Sequence, residues 1–252
     1  MKRCNPVPTI IGSGCIVVIC ILIGWTANAA SPVKINTETA SPVDLTAEID
    51  SLLTTIREST LTAESYAEQH QQAKRNAIQI AIFAQTLAEH ETESPLKKSA
   101  PGLRNASLAL VRTTSYDEGM QSLARMSEAM EGKLSGTPAV DIEWSKLASA
   151  STLMPILKMR SESIRRGFRR PKDPDVESRN ATAIALLALV AHGDLHLAKT
   201  PADRMVWQET CLELQGHMSR AASAIKSRDS SAADHFRLGM EACDKCHQKF
   251  KP

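Results

Sequence analysis

From Asp44 onward the apolar residues recur at steps of three and four, not two. Leu45, Ile49, Leu52, Leu53 and Ile56 trace a first helical stripe, and Ile78, Ile82 and Leu87 a second. Residues Asn76 to Glu91 are apolar on several sides, which suits a helix covered by neighbours. Ser94-Pro95 and Pro101-Gly102 punctuate the pattern. Two shorter helices are predicted next, about Leu103 to Arg112 and Tyr116 to Lys133, before a linker at Leu134 to Pro138. The plan then repeats. A helix is expected over Asp141 to Arg170, a loop at Pro171-Lys172-Asp173-Pro174, and a strongly apolar helix over Val176 to Lys199. Thr200 to Asp203 turns and caps a helix that runs to about Ser227, and Asp229 to Phe250 is the last. No stretch alternates with period two, so the fold class predicted is all-α.

Each half thus carries four helices, with the most apolar one second. Laying Met120 on Phe236 sets Ser127-Glu128-Ala129-Met130-Glu131 opposite Cys243-Asp244-Lys245-Cys246-His247. The expectation is two tandem helical bundles, residues 44–134 and 141–252, related by a degenerate duplication.

The residues before Asp44 read differently. Lys2 and Arg3 precede an apolar core at Ile16 to Ile23, and Ala27-Asn28-Ala29 places small residues where a signal peptidase cuts. The apolar run is broken by Gly12, Ser13 and Gly14 and is short for a spanning helix, so residues 1–29 are expected to be a cleaved leader and not an anchor. Residues 30–43 are a flexible lead-in rich in Ser, Pro and Thr. This implies an exported, periplasmic protein with no stable membrane insertion after cleavage.

Composition adds two exclusions. With 42% hydrophobic and 23% charged residues the chain is neither disordered nor a membrane bundle. Its 30 basic residues against 28 acidic fall to 28 against 28 once Lys2 and Arg3 leave, so no overall basic field recruits nucleic acid. Three of the six cysteines, Cys4, Cys15 and Cys20, lie in the leader, which leaves Cys211, Cys243 and Cys246.

The chemistry concentrates at the C-terminus. Cys243-Asp244-Lys245-Cys246-His247 has the Cys-x-x-Cys-His spacing of covalent c-type haem attachment. On a helix the two thiols stand at i and i+3 and the imidazole at i+4, so all three share a face. The thiols can then stitch the porphyrin edge while His247 takes the iron. A structural zinc site needs four ligands, and only Cys211 remains to help. A thioredoxin-type dithiol belongs to a βαβ pattern that this chain lacks. The apolar stripe of the last helix, Phe236, Met240, Cys243, Cys246 and Phe250, contains the thiols, with His247 beside them. Phe250 lies one turn beyond His247, where it would pack on the haem. Cys211 falls inside the stripe of the preceding helix and reads as a buried, inert thiol.

The ending Cys243-Asp244-Lys245-Cys246-His247-Gln248-Lys249-Phe250-Lys251 resembles the C-terminus of class II c-type cytochromes, the cytochrome c prime family. The likeness extends in plan over roughly Asp141 to Pro252. It implies a four-helix bundle with one covalent haem c, Cys243 and Cys246 as thioether donors, and His247 as axial iron ligand. Members with methionine on the first helix are six-coordinate and transfer electrons; members with an apolar residue there bind nitric oxide or carbon monoxide.

On the first helix of this half, Met154 shares a stripe with Trp144, Leu147, Leu157, Ile164 and Phe168, whereas Met159 points away. Met154 is therefore the candidate sixth ligand, weighed against a role as core filler. Pro155 would kink that helix. His192 and His196 are an alternative pair for ligation. Arg165, Arg166, Arg169, Arg170 and Lys172 form a basic cluster that could meet an acidic partner or the haem propionates; equally, it could be a solvated helix end opposing the helix dipole. The function expected is single-electron transfer between periplasmic redox partner proteins, with a homodimer left open and no catalytic constellation visible. The alternatives are a five-coordinate gas-binding haem protein and a helical interaction module with a structural haem.

Overall fold

A computed structural model describes residues 40–137, 142–171 and 173–250. The leader, most of the lead-in, part of the linker, Asp141, Lys172, Lys251 and Pro252 lie outside the described residues. Within them the chain is all-α, with eight α-helices and no strand. None of these helices is long and apolar enough to cross a membrane.

The first four helices are α1 (Pro42–Ser59), α2 (Ala63–Glu89), α3 (Ala100–Arg112) and α4 (Tyr116–Met130). The next four are α5 (Ala150–Arg169), α6 (Pro174–Gly193), α7 (Pro201–Ser227) and α8 (Ala232–Phe250). Their starts follow from local chemistry. Thr62, Ser115 and Thr200 each close a reciprocal capping box with the residue three positions on, satisfying N–H groups the helix cannot. Helix α1 begins at Pro42, within the expected lead-in, because proline with its fixed φ suits the first helical position.

Two predicted boundaries move inward. The helix expected from Asp141 begins only at Ala150, after a 3-10 turn at Trp144–Lys146, because Ser149 takes an extended backbone and its hydroxyl accepts the Thr152 N–H. The helix expected to reach Lys199 ends at Gly193, where Asp194 leaves helical geometry. Pro155 sits inside α5, which continues through it without a break. Proline only withholds an N–H from the Ser151 carbonyl there.

Helices adjacent in the sequence pack on one another within each set of four, and α6 also meets α1 and α2. Residues Asn180 to Ala191 of α6 are buried all round, as expected of a helix apolar on every side. One hydrophobic cluster therefore runs from Leu45 and Ile80 through Leu153 and Leu187 to Trp207. A smaller one gathers Ile164, Ile184, Met218 and Phe236 between α5, α6, α7 and α8. A methyl added at Gly239 would meet the Met218 side chain at 2.6 Å, which shows how closely α8 lies on α7.

Candidate functional site

Helices α5 and α8 touch at one end, where Phe236 packs on Phe168 at 5.6 Å between ring centroids and Arg165 stands over the Phe236 ring. Away from that contact a cavity of about 700 Å³ lies between them, within the range of small-molecule and cofactor sites. Its walls include Met154 and Leu157 of α5, Trp207 of α7, and Met240, Cys246 and Phe250 of α8. His247 lines it as well, although the residue is largely exposed. Trp207 holds one wall rigid: it is buried, donates its indole N–H to the Ala191 carbonyl at 2.7 Å, and meets the Phe250 ring edge-on at 5.2 Å.

The burial pattern singles out this cavity. The α5 residues that face the core, Leu153, Ile156 and Ile164, are buried, whereas Met154 and Leu157 are only half-buried. On α8, Met240, Cys246 and Phe250 are half-buried in the same way. Contiguous apolar surface left open between two helices is where an apolar ligand is expected.

Cys243 is not among the cavity-lining residues. It leans, with Met240, on the smaller core cluster, whereas Cys246 and Phe250 lean on the larger one. Burial pushes the Cys243 thiol up to about 11, assisted by Cys246 and Asp244 and opposed by Arg165. Burial raises Cys246 too. Cys211 is buried and raised chiefly by burial, in keeping with an inert core thiol. All three are free thiols. A redox dithiol needs the opposite shift, because the thiolate is its nucleophile. In chain that carries no haem, alkylation of Cys243 by iodoacetamide at pH 8 should therefore be slow, with only about one thiol in a thousand ionised. Its rate should climb about tenfold per pH unit towards pH 11; a rapid reaction at pH 7 would overturn this.

Among the described residues no three His, Cys, Asp or Glu side chains gather to hold a bare metal ion. Cys246, His247 and His196 are the thiol and imidazole groups that line this cavity. Cys243 and Cys246 would hold haem by thioether bonds and His247 would be its axial ligand, with an apolar slot of suitable size beside them. Of the other predicted site residues, Phe250 and Met154 line the cavity, and exposed Met159 does not. His192 and His196 are not brought together there. His192 is half-buried at the end of α6, held below its ordinary value by desolvation, while His196 lines the cavity.

Two features went unread in the sequence. His196 lies in the α6–α7 connection, where helical phase says nothing about direction. Arg160 is a buried cation inside α5. Its position between Ile156 and Ile164 at four-residue steps was the available signal. It bonds Glu48 of α1 at 2.6 Å, Gln79 of α2 at 2.6 and 2.8 Å, and Asn180 of α6 at 2.8 Å.

No family model matches this chain, and no match was found among curated proteins or solved structures.

Proposed function

We propose that this chain is an exported c-type haem protein that carries single electrons between redox partners. In this reading α5–α8 form a four-helix bundle of class II cytochrome type, and α1–α4 are a haemless second copy of the same plan. The observation that carries the proposal is the apolar cavity between α5 and α8 with Cys246 and His247 on its wall, next to Cys243 one turn earlier. The haem, when bound, supplies a one-electron couple. The protein's share is to attach it, orient it and keep water from most of its surface. Trp207, Phe250 and Met240 do the last, and a buried environment also tunes the reduction potential.

Arg165 lines the cavity, and Arg166, Arg169 and Arg170 follow it on the exposed end of α5. They support an acidic redox partner that approaches from this side, since complementary charge raises the rate of encounter. The duplication rests on the order of helices alone, because lengths diverge: α3 has 13 residues where α7 has 27.

The test is a visible spectrum of the purified protein, taken in alkaline pyridine and then native and reduced, with and without carbon monoxide. A c-type haem spectrum that is low-spin and indifferent to the gas is the expected result. A high-spin spectrum that shifts with carbon monoxide would replace electron transfer by gas binding, and absence of haem would overturn the proposal altogether.

A further inference from the structure

Two of the seven histidines, His247 and His196, line the same apolar cavity from different elements. His247 stands on α8. His196 belongs to the short connection between α6 and α7, and its direction is imposed by Asp194. One carboxylate oxygen of Asp194 accepts the Ala150 N–H at 2.7 Å, which ties the connection to the first turn of α5. The other lies 2.8 Å from His196 Nδ1 and 3.3 Å from the His196 backbone N, which donates to it.

Facing a carboxylate, which accepts hydrogen bonds, the ring places its N–H on Nδ1 and turns Nε2 away from Asp194. No described residue takes a hydrogen bond at Nε2, and 49% of the side chain is exposed. A ring fixed through Nδ1 by a carboxylate, with bare Nε2, is the form in which histidine ordinarily meets a metal. Met154 lines the same cavity. It is half-buried and packs against the larger core cluster, as a methionine that fills a gap does.

We infer that His196 is the second axial ligand of the haem that Cys243, Cys246 and His247 hold, which makes the iron bis-histidine and low-spin. This rests on the haem reading above and narrows it: with both axial positions taken by the chain, the site passes electrons and does not capture gases. Asp194 is a positioning residue. It holds the imidazole in one tautomer and places negative charge behind it.

The test uses the haem-loaded protein. His196→Ala should convert the low-spin spectrum to a high-spin one that shifts with carbon monoxide, and added imidazole should restore the low-spin form. His196→Gln, which keeps an amide N–H for Asp194, should behave in the same way and covers the case in which alanine disturbs the fold. Met154→Ala, although it opens the cavity wall, should keep the iron low-spin and indifferent to carbon monoxide. Asp194→Asn should keep the low-spin spectrum but raise the reduction potential, because the ferric state loses the charge behind its ligand. An unchanged spectrum in both His196 variants overturns the inference, and doubly so if Met154→Ala becomes high-spin. Failure of the haem reading itself is seen separately, as the absence of a c-type spectrum in alkaline pyridine before any variant is made.

Discussion

Truncating Arg160 to alanine is expected to destabilise the folded chain by about 3–5 kcal/mol, the range for breaking a buried ion pair from one side. Arg160 and Glu48 are both buried, at 8% and 9% side-chain exposure, so water cannot replace the lost partner. The guanidinium also satisfies Gln79 and Asn180, which would be left without their charged donor. Glu48 would retain only Arg179, whose Nε lies 3.2 Å from its second carboxylate oxygen. Because these groups come from α1, α2, α5 and α6, the damage would not be confined to one helix. Replacing both members together, as Arg160→Met with Glu48→Leu, should recover only part of the loss, since the two amides still lack a donor. Urea denaturation followed by circular dichroism measures both, and a loss below about 1 kcal/mol for Arg160→Ala would show that the network is solvated after all.

The second large effect concerns the proposed haem. Double replacement of Cys243 and Cys246 by serine should abolish covalent attachment, so that haem is extracted by acidified butanone and no longer stains on a denaturing gel. His247→Ala should act differently. Both thiols remain, so the haem stays attached through extraction, but the axial ligand is lost and the spectrum of the native protein changes. The contrast separates anchoring from ligation. Haem that survives extraction in the double-serine variant would mean that the attachment point lies elsewhere. The position of the thiols supports this division. They lie on the inward side of α8 and burial raises them both, which suits groups that end as thioethers and not groups that cycle as thiolates.

The helices were legible because their information is local. A stripe at steps of three and four, a proline at a first turn and a Thr-x-x-Asp capping box are short-range signals, and α4, α7 and α8 lie close to where these place them, whereas α2 starts at Ala63, well before the apolar stretch from Asn76 that marked it. The errors fell at ends where a cap competes with propensity. Ser149 stops the backward extension of α5 and Asp194 stops the forward extension of α6, each by offering the backbone an alternative hydrogen bond or an extended geometry.

The candidate site divides along the same line. Spacing alone aligned Cys243, Cys246 and His247 on one side of a helix and set Met154 on an apolar stripe, because periodicity decides which residues of a helix can share a face. It could not show that α5 and α8 part beyond the Phe168–Phe236 contact to leave a cavity, since that separation depends on how whole helices meet. Nor could it choose between His192 and His196, four residues apart. In the structure His196, bonded to an Asp194 that also accepts the Ala150 N–H from another helix, lines the cavity and His192 does not. Arg160 tells the same story, as its partners stand 20, 81 and 112 positions away in the chain. What the sequence by itself determined was an all-helical chain with the Cys-x-x-Cys-His run of Cys243 to His247 on one face of its last described helix. Only the tertiary structure decided which other residues line the cavity beside that run, because a hydrogen bond between distant segments leaves no period in the chain that forms it.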